Sequence, residues 1–261
     1  MEPSSTCTRQ MLVQWCMSAR FFNEATLQAS ISRIYGEDAP ALQDVVDTVN
    51  SRLARYSLEL RSSMEQVSGE RSWALINTKA DAIATSATPY SPVQLTILKH
   101  LIERIFTDQR GNFALDLHTA VREATAKGPA SFSRKDAQEA IDWFCADGWL
   151  QSTGGWVMLG QRACIELQAY LSDGFANYVR VCALCKEMAT QGVVCGACGA
   201  FVHPYCADRL SETSKARLLS CPSCRQPMEA PESFGPGKPG VAHNPAKDDT
   251  QADTAGSQIN A

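Results

Sequence analysis

The feature that most constrains this 261-residue chain is a run of cysteine and histidine between positions 182 and 224. It reads Cys182-x2-Cys185-x9-Cys195-x2-Cys198-x4-His203-x2-Cys206-x14-Cys221-x2-Cys224. Seven of the 11 cysteines lie in it, and Cys7, Cys16, Cys145 and Cys164 are scattered upstream. A two-residue gap lets both side chains of one turn reach a single ion. A structural zinc site takes four tetrahedral N or S ligands, so four close pairs match two Zn2+ ions. An iron–sulfur cluster would use four cysteines and leave the others idle. Disulfides would leave His203 and an odd seventh cysteine without a role. Met1–Gln10 is polar and lacks the apolar core of a signal peptide, which also favours metal over disulfides. Gly196 and Gly199 flank Cys198, where a tight turn wants permissive backbone. A module spanning 179–228 is too small to stand on its core alone, so ion binding is expected to supply its folding free energy. The spacing leaves open which pairs share an ion.

Residues 1 to 178 have helical apolar periodicity and divide near Thr85–Ser91 into two units of similar layout. In the second, Ser91-Pro-Val-Gln94 places a capping residue, a first-turn proline and a third-position amide ahead of Leu95, Leu98, Leu101, Ile102, Ile105 and Phe106. A short strand is expected within Phe113–Leu117, then a helix over Thr119–Ala126 that stops at Gly128-Pro129. Ser133 caps a further helix with Asp136 at its third position, burying Ala137, Ala140, Ile141 and Phe144 and ending at Gly148. Trp149–Ser152 and Trp156–Leu159 around a Thr-Gly-Gly turn read as a hairpin, followed by a helix over Gln161–Leu171. The first unit repeats this more loosely. Its expected helices are Thr8–Ala19, Glu24–Ile34 and Pro40–Arg55, and its hairpin is Ser57–Met64 with Trp73–Asn77, Gly69 lying near the turn. Three helices and a two-stranded hairpin are the layout of a winged helix, which is favoured here over a generic small helical domain with a hairpin.

The predicted fold is therefore mainly α with small β-hairpins. It has winged-helix domains at 8–88 and 89–176, a zinc module at 179–228 and a tail at 229–261. That tail holds four Pro and four Gly, with Phe234, Val241 and Ile259 its only large apolar residues, and is expected to be disordered. No apolar run approaches the roughly 18 residues of a membrane helix.

Charge bears on what the winged helices do. Over residues 1–181, 17 Lys and Arg face 20 Asp and Glu, a net of −3. The candidate recognition helix carries Arg134 and Lys135 but also Asp136, Glu139, Asp142 and Asp147, and the second hairpin tip has no charge. A phosphate-binding face needs several cations together. Protein contact is the expected use.

The zinc spacing resembles the cross-brace of the RING and PHD families. That resemblance implies one zinc on Cys182, Cys185, His203 and Cys206 and a second on Cys195, Cys198, Cys221 and Cys224, both closed to substrate. Histidine at the fifth ligand is the PHD order. Other residues resemble a RING that serves ubiquitin transfer: Leu184 between the first two ligands, Pro222 after the seventh, and Arg225 after the last, at the position of the RING arginine that contacts ubiquitin. Leu219 stands where PHD fingers usually carry Trp. Phe201 and Tyr205, the module's only aromatics, are expected to pack around zinc rather than form a histone-reading cage. No catalytic residue is implied, because the zinc thiolates are consumed as ligands. The four scattered cysteines are expected to be buried small side chains or ordinary thiols.

Two winged helices followed by a RING variant of this order resemble the non-SMC element one family, RING-type subunits of the Smc five–six chromosome complex. The resemblance lies in Leu53-Ala-Arg-Tyr-Ser-Leu-Glu-Leu60, Trp73-Ala-Leu-Ile-Asn77, Leu159-Gly-Gln-Arg-Ala163 and the zinc module, together covering about residues 8–228. It implies a nuclear, chromosome-associated ubiquitin ligase acting in DNA repair by homologous recombination. The implied partners are a MAGE-type subunit bound through the winged helices and RING, a kleisin-type subunit, the SMC heads indirectly, and a ubiquitin-conjugating enzyme. DNA would be met only weakly or through the MAGE partner, and membranes not at all. The alternatives are a non-catalytic, zinc-stapled assembly subunit and a PHD-like histone reader.

Overall fold

A computed structural model of the chain describes residues 5–36, 39–78, 90–108, 111–214, 219–229 and 231–238. The first unit runs α1 (Ser5–Ala19), β1 (Phe21–Asn23), α2 (Glu24–Tyr35), α3 (Leu42–Leu53), β2 (Leu58–Met64) and β3 (Arg71–Asn77). Asn23 ends β1 and starts α2, its Oδ1 accepting from Thr26 N at 2.9 Å. Val45, Val46, Val49 and Leu53 form the buried stripe of α3. They meet Leu12, Cys16, Leu27, Ile31 and Trp73 in the core. Asn50 at the edge of that stripe fixes the hairpin: its amide accepts from Leu60 N at 2.8 Å and donates to Leu60 O at 3.0 Å. The strand order is β1-β3-β2, all antiparallel.

The second unit repeats the sequence of elements. It runs α4 (Pro92–Phe106), β4 (Ala114–Asp116), α5 (Leu117–Lys127), α6 (Arg134–Ala146), β5 (Leu150–Thr153) and β6 (Trp156–Leu159), in strand order β4-β6-β5. Reciprocal capping boxes start α4 (Ser91 with Gln94) and α6 (Ser133 with Asp136). Gly154 and Gly155 turn the hairpin with φ of 58° and 81°, the left-handed pair that a two-residue turn matched to strand twist demands. Two units with one element order and one strand order are tandem winged helices.

Three local expectations need correction. The first unit has a strand, β1, ahead of its second helix; three residues are too few to show an alternating pattern. The helix expected over Gln161–Leu171 is two, α7 (Gln161–Glu166) and α8 (Gln168–Gly174), broken at Leu167 while the apolar periodicity runs on. The tail expected to be disordered from 229 contributes a strand, β9 (Glu232–Phe234). Residues 239–261 lie outside the described residues.

The cysteine-rich module contains β7 (Gly192–Val194), β8 (Phe201–Val202), α9 (Pro204–Ser214) and β9, in sheet order β8-β7-β9. Phe234 holds the tail strand in place. It is 2% exposed, and the guanidinium of Arg180 lies over its ring at 5.1 Å, over Phe201 at 4.8 Å and over Phe113 at 4.9 Å. One apolar core runs from α4 through Leu167 and Leu171 into Cys182, Met188, Val194, Val202, Cys206 and Phe234. The cysteine-rich module is therefore continuous with the second winged helix. The first unit closes on both, with Ala74 and Ile76 of β3 packing against Ile165 of α7.

Candidate metal centre

Three Cys-x-x-Cys turns fold identically. The residue after each second cysteine donates its N–H to the carbonyl of the first: Lys186 to Cys182 at 3.0 Å, Gly199 to Cys195 at 2.8 Å and Arg225 to Cys221 at 2.9 Å. To do so each takes a left-handed backbone, with φ of 65°, 75° and 62°. Glycine adopts that conformation freely, and an L-residue does so at a cost of about 1–2 kcal/mol. Of the two glycines expected to ease the second turn, only Gly199 has a positive φ. The fourth pair comes from a different element: His203 precedes α9 and Cys206 lies in its first turn.

Folding brings the four pairs into two quartets, Cys182, Cys185, His203, Cys206 and Cys195, Cys198, Cys221, Cys224, with all ligand atoms in each within 4.8 Å. First and third pairs meet, as do second and fourth. Sulfurs bound at about 2.3 Å to a tetrahedral zinc stand about 3.8 Å apart. Here Cys195 and Cys224 are 3.7 Å apart and Cys198 and Cys221 3.6 Å. In the first quartet, His203 Nδ1 lies 3.3 Å from Cys185 Sγ and 3.8 Å from Cys206 Sγ. Its other nitrogen, Nε2, is 3.1 Å from Met188 O. A carbonyl only accepts, so Nε2 carries the proton and Nδ1 keeps a lone pair for the ion. Among the sulfurs, a hydrogen bond from Cys185 pushes the Cys182 thiol well below its ordinary range, and the same bond drives Cys185 up. Donor type, spacing and tautomer all fit Zn2+. Each quartet supplies the four donors of a tetrahedral ion, which would leave no open coordination position for a substrate, although Cys185 is exposed and Cys198 and Cys224 are half-buried.

Leu184 stands between the first two ligands, 41% exposed, which is unusual for a leucine so near a buried cluster. It lines a groove of about 410 Å³ together with Tyr205, Arg209 and Leu210 of α9. Leu210 escaped the sequence reading, though a signal existed: it follows Cys206 by four residues, one helical turn, and so shares its face. Arg225 is exposed and Pro222 half-buried on the third Cys-x-x-Cys turn, and neither lines that groove. Phe201 is engaged by Arg180 and Phe234, and Tyr205 packs on Gly69 of the first winged helix. These two aromatics make no shared cage. Burial pushes the thiols of Cys16 and Cys164 up to about 12 and of Cys145 up to about 11, so all three stay protonated at neutral pH. The side chain of Cys7 lies outside the described residues.

Comparison with known proteins agrees with this geometry. A family model described as the Nse1 non-SMC component of the SMC5-6 complex matches residues 9–167, and a RING-like domain model matches residues 182–224. The chain is 27% identical over 199 residues to the bovine non-structural maintenance of chromosomes element 1 homolog, covering 76% of this chain and 73% of the bovine one. It is 26% identical over 212 residues to element 1 of Schizosaccharomyces pombe, covering 81% and 87%. A chain in a solved structure titled Nse1-Nse3-Nse4 complex superposes with a TM-score of 0.71 at 20% identity, covering 88% of this chain and 99% of that one, and so shares its fold. With more than half of its length matched by that family's model, and with a RING-like module closing two winged helices, this chain belongs to the Nse1 family of non-SMC components of the SMC5-6 complex.

Proposed function

We propose that this protein is a RING-type ubiquitin ligase subunit that acts in DNA repair by recombination, on chromosomes in the nucleus. Its two quartets hold two Zn2+ ions as closed, structural sites. The ions fix the positions of Leu184, Leu210, Pro222 and Arg225, and the protein supplies no nucleophile of its own. A conjugating enzyme docks on the apolar residues. Arg225, a planar donor of fixed charge, holds the thioester-linked ubiquitin in a reactive pose. A substrate amine then attacks the thioester carbonyl, the conjugating enzyme's thiolate leaves, and the amine's extra proton passes to solvent. Holding the reactants in that pose supplies the rate.

The observation that carries this reading is Leu184, left exposed and facing the same groove as Leu210. The assembly partners follow from the family: a MAGE-type Nse3 subunit, a kleisin-type Nse4 subunit and, through them, the SMC heads. The candidate recognition helix sets Arg134 and Lys135 among Asp136, Glu139, Asp142 and Asp147, which favours protein contact over DNA there. The test is ubiquitin discharge from a charged conjugating enzyme, with the zinc-loaded chain alone and with its MAGE-type partner. Discharge that falls on Arg225→Ala, with zinc and complex intact, is the expected result.

A second reading, a zinc-stapled assembly subunit, has its own support in the polar contacts that fasten the first winged helix to the zinc module. It predicts no discharge under any condition, with Cys-to-Ala changes breaking the complex.

A further inference from the structure

In the first winged helix, β2 and β3 extend past the core as a wing whose turn is Glu65–Gly69. A free wing has its backbone groups in water. This one is fastened to the zinc module along its length. Gln66 is 7% exposed, and its amide donates to Thr190 Oγ1 at 3.0 Å and accepts from Thr190 N at 2.9 Å and Gln191 N at 3.3 Å. Its carbonyl accepts from Tyr205 N at 3.0 Å. Ser63 donates to Glu187 at 2.8 Å. Gly69 has φ of 73° and lies so close to the Tyr205 ring that a Cβ there would come within 2.1 Å of it. Gln66 thus spans the two segments that carry the first quartet, one running from Cys182 to Gln191 and the other from His203 to Cys206.

The clamp has a consequence for the groove beside Leu184. Leu184, Arg209 and Leu210 stand on its zinc side, and Met64, Glu65 and Arg71 of the wing on the other. It is one concavity, so a body seated on Leu184 and Leu210 faces the wing as well. The backbones of both walls are already fixed in register, so binding has only side chains left to order. The charges also differ in availability. The Glu65 carboxylate is occupied by the N–H groups of Val67 and Ser68 in its own turn. The Arg71 side chain is 44% exposed, its Nε makes two long contacts, with Glu24 at 3.5 Å and with Met64 Sδ at 3.5 Å, and it borders the same groove as Arg209.

We infer that the wing of the first winged helix is the second wall of the conjugating-enzyme site, with Met64 and Arg71 receiving an apolar docking loop flanked by an acidic side chain. The inference rests on the ligase reading above. Choice among conjugating enzymes is then made jointly by the zinc module and the wing.

The test uses the full zinc-loaded chain in complex with its MAGE-type partner, and reads the affinity for a panel of conjugating enzymes by titration. Leu184→Ala is the reference. Arg71→Glu is expected to weaken the best enzyme about tenfold, on the scale of an interface contact of ~1.4 kcal/mol. Reversing the acidic side chain on that enzyme's loop should restore binding. If Leu184→Ala weakens binding while Arg71→Glu and Met64→Ala stay within about twofold of wild type, the wing inference is overturned and the ligase reading survives. If Leu184→Ala also has no effect, the ligase reading itself has failed. A photo-crosslinking residue in place of Met64 gives a readout independent of affinity. Capture of the conjugating enzyme supports the inference. Capture instead of the MAGE-type partner, a second copy or this chain's own tail overturns it.

Discussion

Arg225 occupies a backbone slot that favours glycine, and this separates its structural role from its proposed chemical one. The same slot in the second turn holds Gly199, and in the first it holds Lys186. Replacing Arg225 by glycine removes a left-handed penalty of about 1–2 kcal/mol. Glycine returns about 0.5–1 kcal/mol through the greater freedom of the unfolded chain. The net expectation is a protein more stable by about 0.5–1 kcal/mol, which raises the melting temperature by about 1–4 °C in a body of this size. Lys186→Gly, at φ of 65° and equally exposed, should gain the same. The assay pairs thermal unfolding of the zinc-loaded proteins with ubiquitin discharge. Both variants should gain stability, and only Arg225→Gly should lose discharge. Equal discharge by both variants would remove Arg225 from the ubiquitin contact. A loss of stability in either would refute the backbone argument.

Other residues test the packing. Gln66→Ala strips the partners from Thr190 N, Gln191 N and Thr190 Oγ1 at a buried site, and should cost about 2–4 kcal/mol in urea unfolding, with faster amide exchange at Thr190. Arg180→Leu keeps bulk but loses a desolvated cation over three rings and the donor to Gly111 O at 3.3 Å; it should cost about 2 kcal/mol and speed exchange along β7 and β9. Glu123 is held below the usual carboxylate range, first by the hydrogen bond with His100 at 2.9 Å and then by Arg104. Its contribution is whole above the unfolded carboxylate value of about 4.3 and fades as pH falls through the lower folded one. Glu123→Gln should therefore cost about 1 kcal/mol at pH 7, with the gap to wild type closing below about pH 4 in unfolding titrations.

The legible parts of the sequence were those where residue type and local spacing both carry information. Metal ligands admit few residue types, so eight of them in four pairs stood out, and a cap such as Ser133 is recognised by Asp136 three residues away. The parts that were hidden depend on distant partners. Phe234 sits in a proline- and glycine-rich stretch that reads as disordered, and the ring and guanidinium that bury it come from Phe201 and Arg180. Gln66 is a polar residue in a turn, which in a sequence means solvent. Its burial depends on Thr190, 124 positions away. Leu167 breaks a helix whose periodicity does not falter on either side.

The wing also bears on why winged helices of net negative charge belong in such a molecule. The fold offers two projecting hairpins and a helix face, commonly used on DNA. Here the first hairpin spends its turn on the cysteine-rich module: the Gln66 side-chain amide meets Thr190 and Gln191, and its backbone carbonyl accepts from Tyr205 N, instead of facing phosphate. The second hairpin ends in two glycines with no charge to offer. The first winged helix therefore works as a fixed brace. Because its clamp at Gln66 joins both segments of the first quartet, a partner that grips the first winged helix has a direct mechanical line to Leu184 and the groove beside it. If the proposed ligase activity depends on such a partner, it needs no large rearrangement, only a shift in how firmly two pre-formed walls are held.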